Sequence, residues 1–174
     1  MKLYYSPGAC SMSPHIVLEE SGLRYETERV NLKTKATETG ADFNAINLRG
    51  YVPALLLDDG QLLTEGPAIV QYVADRVPEK KLAPAWGSFE RYRLQEWLTF
   101  ISSEVHKGTS PLFYPQTPEA WKPVVIEKLK GRYDYLAKVQ VHEAAPAGAW
   151  RSNLLLTADN ADVGGAFPAD SDAV

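Results

Sequence analysis

Cys10 is the residue around which chemistry can be built. It is the single cysteine of the chain, which leaves no intramolecular disulfide and no thiolate-rich zinc site. His15, His106 and His142 lie too far apart to suggest a ligand cluster, so no metal is expected. A lone cysteine is most often a small buried hydrophobe, but its position here argues otherwise. Lys2-Leu3-Tyr4-Tyr5 reads as a buried strand stopped by Ser6-Pro7-Gly8. Ser11, Ser13 and Pro14 then open a helix that continues to Gly22. Cys10 therefore falls where backbone N–H groups and the helix dipole favour a thiolate. The segment Cys10-Ser11-Met12-Ser13 has the layout of a Cys-x-x-Cys motif with serine in the resolving position. Dithiol exchange is lost, and mixed-disulfide chemistry with an external thiol remains. Tyr5 and Ser11 offer hydroxyls at the same end that could donate to a thiolate.

Two further places carry chemical tools. Val52-Pro53 enters an apolar strand opposite the Cys10 turn and is a candidate cis peptide. It leaves the Val52 N–H and C=O free to pair with a peptide ligand as an added strand would. Glu65-Gly66 opens a helix with an acidic side chain beside bare backbone. The Gly66 N–H can take a carboxylate and Glu65 an ammonium, so a zwitterionic amino-acid head satisfies both. The simpler alternative is that Glu65 only offsets the helix dipole.

These residues must be held by elements, and the pattern supplies them in order. After the first strand and helix, residues 24–30 alternate polar and apolar as a second strand does. Residues 33–50 are polar, with a short helix around Ala41 to Ile46. Ala54-Leu55-Leu56-Leu57 and Gln61-Leu62-Leu63 form a hairpin about Asp58-Asp59-Gly60, followed by a helix over Ala68 to Val77. That order suits an α/β sandwich in which a hairpin adds antiparallel strands to a βαβ unit. The expected domains are residues 1–78, a linker 79–87, and a purely helical part 88–140. In the helical part Leu94, Trp97, Leu98, Ile101 and Val105 define one buried face. At 100° per residue, Thr99, Ser103, His106 and Lys107 gather on the opposite side, with His106 the candidate donor or base. Trp121, Val125, Leu129, Tyr133 and Leu136 run along one side of a second helix, which Pro123 is expected to bend early.

Together, Tyr5-Ser6-Pro7-Gly8-Ala9-Cys10-Ser11, Gly50-Tyr51-Val52-Pro53-Ala54 and Leu63-Thr64-Glu65-Gly66-Pro67 closely resemble the bacterial beta-class glutathione transferases. The likeness continues through Phe100 to Lys107 and fades near Gln140. It implies a thioredoxin-like α/β N-terminal domain and an all-α C-terminal domain. It further implies that Cys10 contacts the glutathione sulfur, that Val52 pairs with the cysteinyl backbone and that Pro53 is cis. Glu65 and Gly66 would hold the γ-glutamyl head and Lys35 would approach the glycyl carboxylate. Ser103, His106 and Lys107 would line the site from the helical domain. Glutathione would be a co-substrate rather than a resident cofactor, and a homodimer is the expected assembly.

The implied activity is attack of the glutathione thiolate on a hydrophobic electrophile, with Cys10 mixed-disulfide chemistry as a second route. Ala9, His106, Phe113 and Tyr114 are candidate walls for the electrophile. A net charge of −4 argues against a nucleic-acid partner. No run of about 18 apolar residues suggests a membrane span, and the first residues lack an apolar signal core, so a cytoplasmic location is expected. Of the 18 lysines and arginines, only Arg151 falls in residues 141–174. That segment is expected to be a poorly ordered tail that leaves the C-terminal helices incomplete. A glutathione-binding protein with little catalysis is the alternative this raises. A monothiol glutaredoxin-like reductase fits the first 78 residues but leaves the helical part unexplained.

Overall fold

The computed structural model describes residues 1–142. The tail expected over 141–174 lies, beyond its first two residues, outside the described residues.

Alternation along the first strand decides the architecture. In β1 (Lys2–Tyr5) Leu3 and Tyr4 are both buried, on opposite faces of the sheet, so both faces need cover. β1 pairs in parallel with β2 (Glu26–Arg29) across helix α1 (Met12–Ser21). A short helix α2 (Phe43–Ile46) precedes β3 (Ala54–Leu56), which runs antiparallel to β1. β4 (Leu62–Thr64) returns antiparallel to β3. The sheet order is β2-β1-β3-β4, and α3 (Gly66–Arg76) follows. This is the βαβ unit with an added antiparallel hairpin that the pattern suggests, and the thioredoxin-like domain that the resemblance implies. Gly22 ends α1 in the left-handed region at φ 69°, its N–H bonding Glu19 O.

Leu3 and Leu55 face α1 and α3 across Leu18, Ile69 and Val73. Leu94 and Leu98 of helix α4 (Phe89–Phe100) belong to the same cluster, so the helical half completes the core of the α/β half. Each fully buried leucine contributes about 1.5–3 kcal/mol. On the other face Tyr4, Val30, Phe43, Val52 and Ala54 form a second cluster.

Between the halves, residues 78–87 carry one 3₁₀ turn, Pro78–Lys80, before the Ser88 hydroxyl caps α4 at the Arg91 N–H. Helix α4 then passes directly into a π-helical stretch, Ile101–His106, and a last α turn, α5 (Lys107–Thr109). Leu94, Leu98, Ile101 and Val105 are buried as the stripe predicts, while Trp97 is half-buried against Phe100 and Tyr135. Helix α6 (Lys122–His142) departs from expectation at its start. A 3₁₀ turn over Glu119–Trp121 precedes it, so Pro123 stands in the first turn, where its missing N–H costs no intrahelical bond. Val125 and Leu129 are buried, whereas Trp121 and Tyr133 are exposed. No helix among the described residues is long and apolar enough to cross a membrane.

Candidate functional site

A cavity of about 500 Å³ opens between the strand ends of the α/β half and the α4–α5 region of the helical half. Cys10, at the N-terminal end of α1, lies in its wall. The preceding turn is closed by Ala9 N–H on Ser6 O. Ser11, buried to 1% exposure, tightens it further. Its hydroxyl donates to Ser6 O and accepts from Ser6 N–H, each at 3.1 Å. The half-buried Cys10 thiol donates to Val52 O at 3.5 Å. That carbonyl precedes Pro53 across a cis peptide, and the Val52 N–H makes no main-chain hydrogen bond among the described residues.

Tyr5 and Ser11 stand apart from the cavity. The Tyr5 ring packs on the core and lies 5.7 Å from the His15 ring, and the Ser11 hydroxyl is consumed by the turn. Strand alternation explains Tyr5, and a closed local hydrogen-bond loop explains Ser11.

The β4–α3 junction presents Glu65 in an unusual conformation, φ 67° and ψ 116°. A non-glycine residue persists there only when its surroundings hold it. Its carbonyl accepts from the Ala68 and Ile69 N–H groups, while Arg49 donates to its carboxylate at 2.8 Å. Both side chains of that pair are about two-thirds exposed, so the pair orients more than it stabilises. Arg49 is placed by Asn47, which is buried: its amide donates to Tyr51 O at 2.8 Å and its side-chain oxygen accepts from Arg49 N–H. Gly50 closes this loop at φ 63°. A Cβ there would lie 2.6 Å from Asn44 Oδ1 and would be strained at this φ, so glycine is favoured. The Gly50 carbonyl in turn accepts from Lys35 Nζ at 2.8 Å.

The helical half contributes Leu98, Ser102, His106 and Ser110, spaced four apart. Ser103 does not line the cavity; it is exposed, and its hydroxyl bonds Thr99 O at 2.9 Å. The stretch that carries these residues is π-helical, and an i→i+5 ladder shifts side-chain directions relative to a 3.6-residue period; Ser102, not Ser103, lines the cavity. Lys107 lines the cavity, as do Phe113 and Tyr114, whereas Ala9 is buried in the core behind Tyr4.

Sequence reasoning therefore missed Arg49, Ser102 and Ser110. The Asn47 and Gly50 turn formers were a signal for the first; nothing in a periodic pattern announces a π bulge. The cavity's electrostatics oppose those of the chain as a whole. Lys33, Lys35, Arg49 and Lys107 line it with one carboxylate, Glu65. Among the described residues, no group of three or more His, Cys, Asp or Glu side chains is arranged to hold a metal ion.

Residues 8–76 match the sequence profile of the glutathione S-transferase N-terminal domain. The glutathione S-transferase GstA of Escherichia coli O157:H7 is 52% identical over 136 residues, which are 78% of this chain and 68% of GstA. The chain belongs to the glutathione S-transferase family. Among solved structures, BphK, a bacterial member determined as a ternary complex, superposes with a TM-score of 0.84 at 53% identity. The match covers 91% of this chain and 80% of BphK. A sphingomonad glutathione S-transferase complexed with glutathione superposes at 0.81 and 43% identity, over 91% of this chain and 80% of that one. The family fold therefore extends through both halves of the glutathione S-transferase cavity, from the Cys10 turn to α5.

Proposed function

We propose that the chain is a transferase that binds glutathione along the Cys10–Val52–Glu65 wall and directs its thiolate at hydrophobic electrophiles. The observation that carries this reading is the order of tools along one cavity. The Glu65 carboxylate and Gly66 N–H suit an α-amino-acid head. The Val52 main chain suits a peptide unit in the middle, and Lys35 suits a terminal carboxylate. Glutathione carries two carboxylates against one ammonium, which fits a wall with more cations than acids.

In the reaction the glutathione sulfur forms a bond to the electrophilic carbon while the leaving group departs with its electron pair. His106, Ser102 and the Cys10 thiol line the cavity as hydrogen-bond donors that stabilise the glutathione thiolate before it attacks. Phe113 and Tyr114 give the electrophile an apolar wall. The reading includes a homodimer, supported by Leu48 at 94% and Tyr51 at 67% exposure beside the site loop, and a cytoplasmic protein.

A second reading rests on Cys10 itself, whose sulfur lies in the cavity wall. Its thiolate attacks glutathione disulfide, forms a mixed disulfide and releases one glutathione as thiolate. Calorimetric titration with glutathione, then turnover of a chromogenic aryl halide, tests the principal reading. Absence of binding at millimolar glutathione overturns it. Cys10→Ala abolishes the disulfide route, and unchanged disulfide exchange in that variant removes the second reading.

A further inference from the structure

Among the described residues only two charged side chains are buried, Glu28 and Arg91. Burying a carboxylate is unfavourable unless it is paired and hydrogen-bonded, so the partners of Glu28 matter. It occupies the inward position of edge strand β2, where an aliphatic residue would satisfy the pattern.

Apart from Lys2 on β1, its partners lead to one segment. Glu28 accepts from the Thr39 hydroxyl at 2.5 Å and from Lys2 Nζ at 3.0 Å. The Thr39 and Thr37 hydroxyls lie 3.1 Å apart. Thr37, buried to 5%, accepts from the Ala41 N–H and bonds Ala41 O through its own N–H. Beside it, Glu38 accepts from the Arg29 N–H and donates its own N–H to Arg29 O. The segment from Val30 to Asp42 has no regular structure, only isolated bridges of Val30 with Thr37 and Ala36 with Asp42. Within it Lys35 sits at φ 59°, a left-handed conformation that is unfavourable for a residue with a Cβ. Its N–H bonds Asn31 O and its C=O takes the Phe43 N–H. The segment thus has the Glu28 cluster on one side and the Lys35 ammonium in the cavity wall on the other.

We propose that Glu28 and Thr39 are positioning residues that hold the Lys35 segment, and thereby set the preference of the site for a ligand ending in the glycyl carboxylate. The inference rests on the reading that Lys35 receives that carboxylate. Neither Glu28 nor Thr39 touches the ligand; both act through Lys35.

The test compares dissociation constants for glutathione and for γ-glutamylcysteine, which lacks the glycine. Calorimetry on the full chain is run for the native protein and for Thr39→Val, Glu28→Gln and Lys35→Ala. Thr39→Val and Glu28→Gln weaken glutathione binding about five- to tenfold, within the net range of one ordinary hydrogen bond because the effect reaches the ligand only through Lys35. They leave γ-glutamylcysteine within about twofold, so the preference for glutathione collapses. A purely structural cluster, serving only to cover the edge of β2, weakens both ligands alike or neither, and either result overturns the proposal. Should Glu28→Gln fail to fold, Thr39→Val keeps the shape of the side chain and decides alone. If Lys35→Ala loses the preference while Thr39→Val keeps it, positioning by the cluster is wrong and the Lys35 reading stands. If Lys35→Ala keeps the native preference, the Lys35 reading falls and the proposal with it.

Discussion

At the scale of single residues, Glu28 ties titration to stability. The Thr39 hydroxyl, followed by those of Thr37 and the Lys2 ammonium, outweighs the cost of burial and lowers its pKa from 4.5 to about 2. Lys2 is raised in return, chiefly by the same carboxylate. A depressed carboxyl pKa contributes stability that is complete above the unfolded value and is lost as pH falls through the folded one. The contribution, about 3 kcal/mol, therefore disappears between roughly pH 4.5 and pH 2. Urea titrations across that window show a steeper loss for the native protein than for Glu28→Gln. Parallel slopes would mean that other carboxylates dominate the acid limb. No sequence pattern reveals this residue, because a glutamate in an edge strand ordinarily faces water. Cys10, Val52, Glu65 and Gly66 were legible because each stands at a strand end or helix start, where local signals are strong. Arg49 was not, since its direction is set by a buried Asn47 two residues earlier.

At the scale of elements, the π-helical stretch and the glycines after it show where a periodic reading succeeds and fails. The buried stripe through Leu94, Leu98, Ile101 and Val105 was readable because core spacing tolerates a small local error in twist. Cavity-facing positions do not tolerate it, and along the π-helical stretch Ser102, not Ser103, lines the cavity. Two helical glycines then separate propensity from packing. A Cβ at Gly131 in α6 meets nothing within 4 Å, whereas one at Gly108 in α5 meets Leu129 Cδ2 at 3.2 Å. Gly131→Ala is therefore expected to stabilise by about 0.5–1 kcal/mol through helix propensity alone. Gly108→Ala gains nothing net, because buried Leu129 must shift, and Gly108→Val loses about 1–3 kcal/mol by overpacking the α5–α6 contact. Chemical denaturation of the three variants measures this ordering. Equal gains for the two alanine variants would show that α5 and α6 are not in close contact in solution.

At the scale of the whole molecule, the two halves are joined by a polar clamp beside their shared apolar core. Arg91, 1% exposed, donates to both Asp75 oxygens at 2.8 and 2.6 Å, to Gln71 Oε1 at 3.1 Å and to Pro84 O at 3.0 Å. It thus links α4, α3 and the intervening segment in one network. Gln71 extends it, donating to Pro67 O at the start of α3, where Pro67 lines the cavity. In the sequence Arg91 looks like any solvated helix charge, because its partner lies sixteen residues away across the domain junction. Asp75→Asn leaves Arg91 buried against a neutral amide. Losing one partner of a buried pair costs about 3–5 kcal/mol; with the Asp75 side chain 42% exposed, about 2–3 kcal/mol is expected, since water relieves part of the loss. Replacing both residues with apolar ones of similar volume, Arg91→Met with Asp75→Leu, should recover much of that loss, because no unpaired charge remains. A double-mutant cycle by urea unfolding gives the coupling directly, and additive single effects would show that the pair does not act as a unit. The clamp ties together the two halves that carry Cys10 and His106 on opposite walls of the cavity. A ligand that spans both restores stability to Asp75→Asn as its concentration rises above its dissociation constant. If saturating glutathione leaves the unfolding midpoint of that variant unmoved, the ligand does not bind the folded protein across the junction.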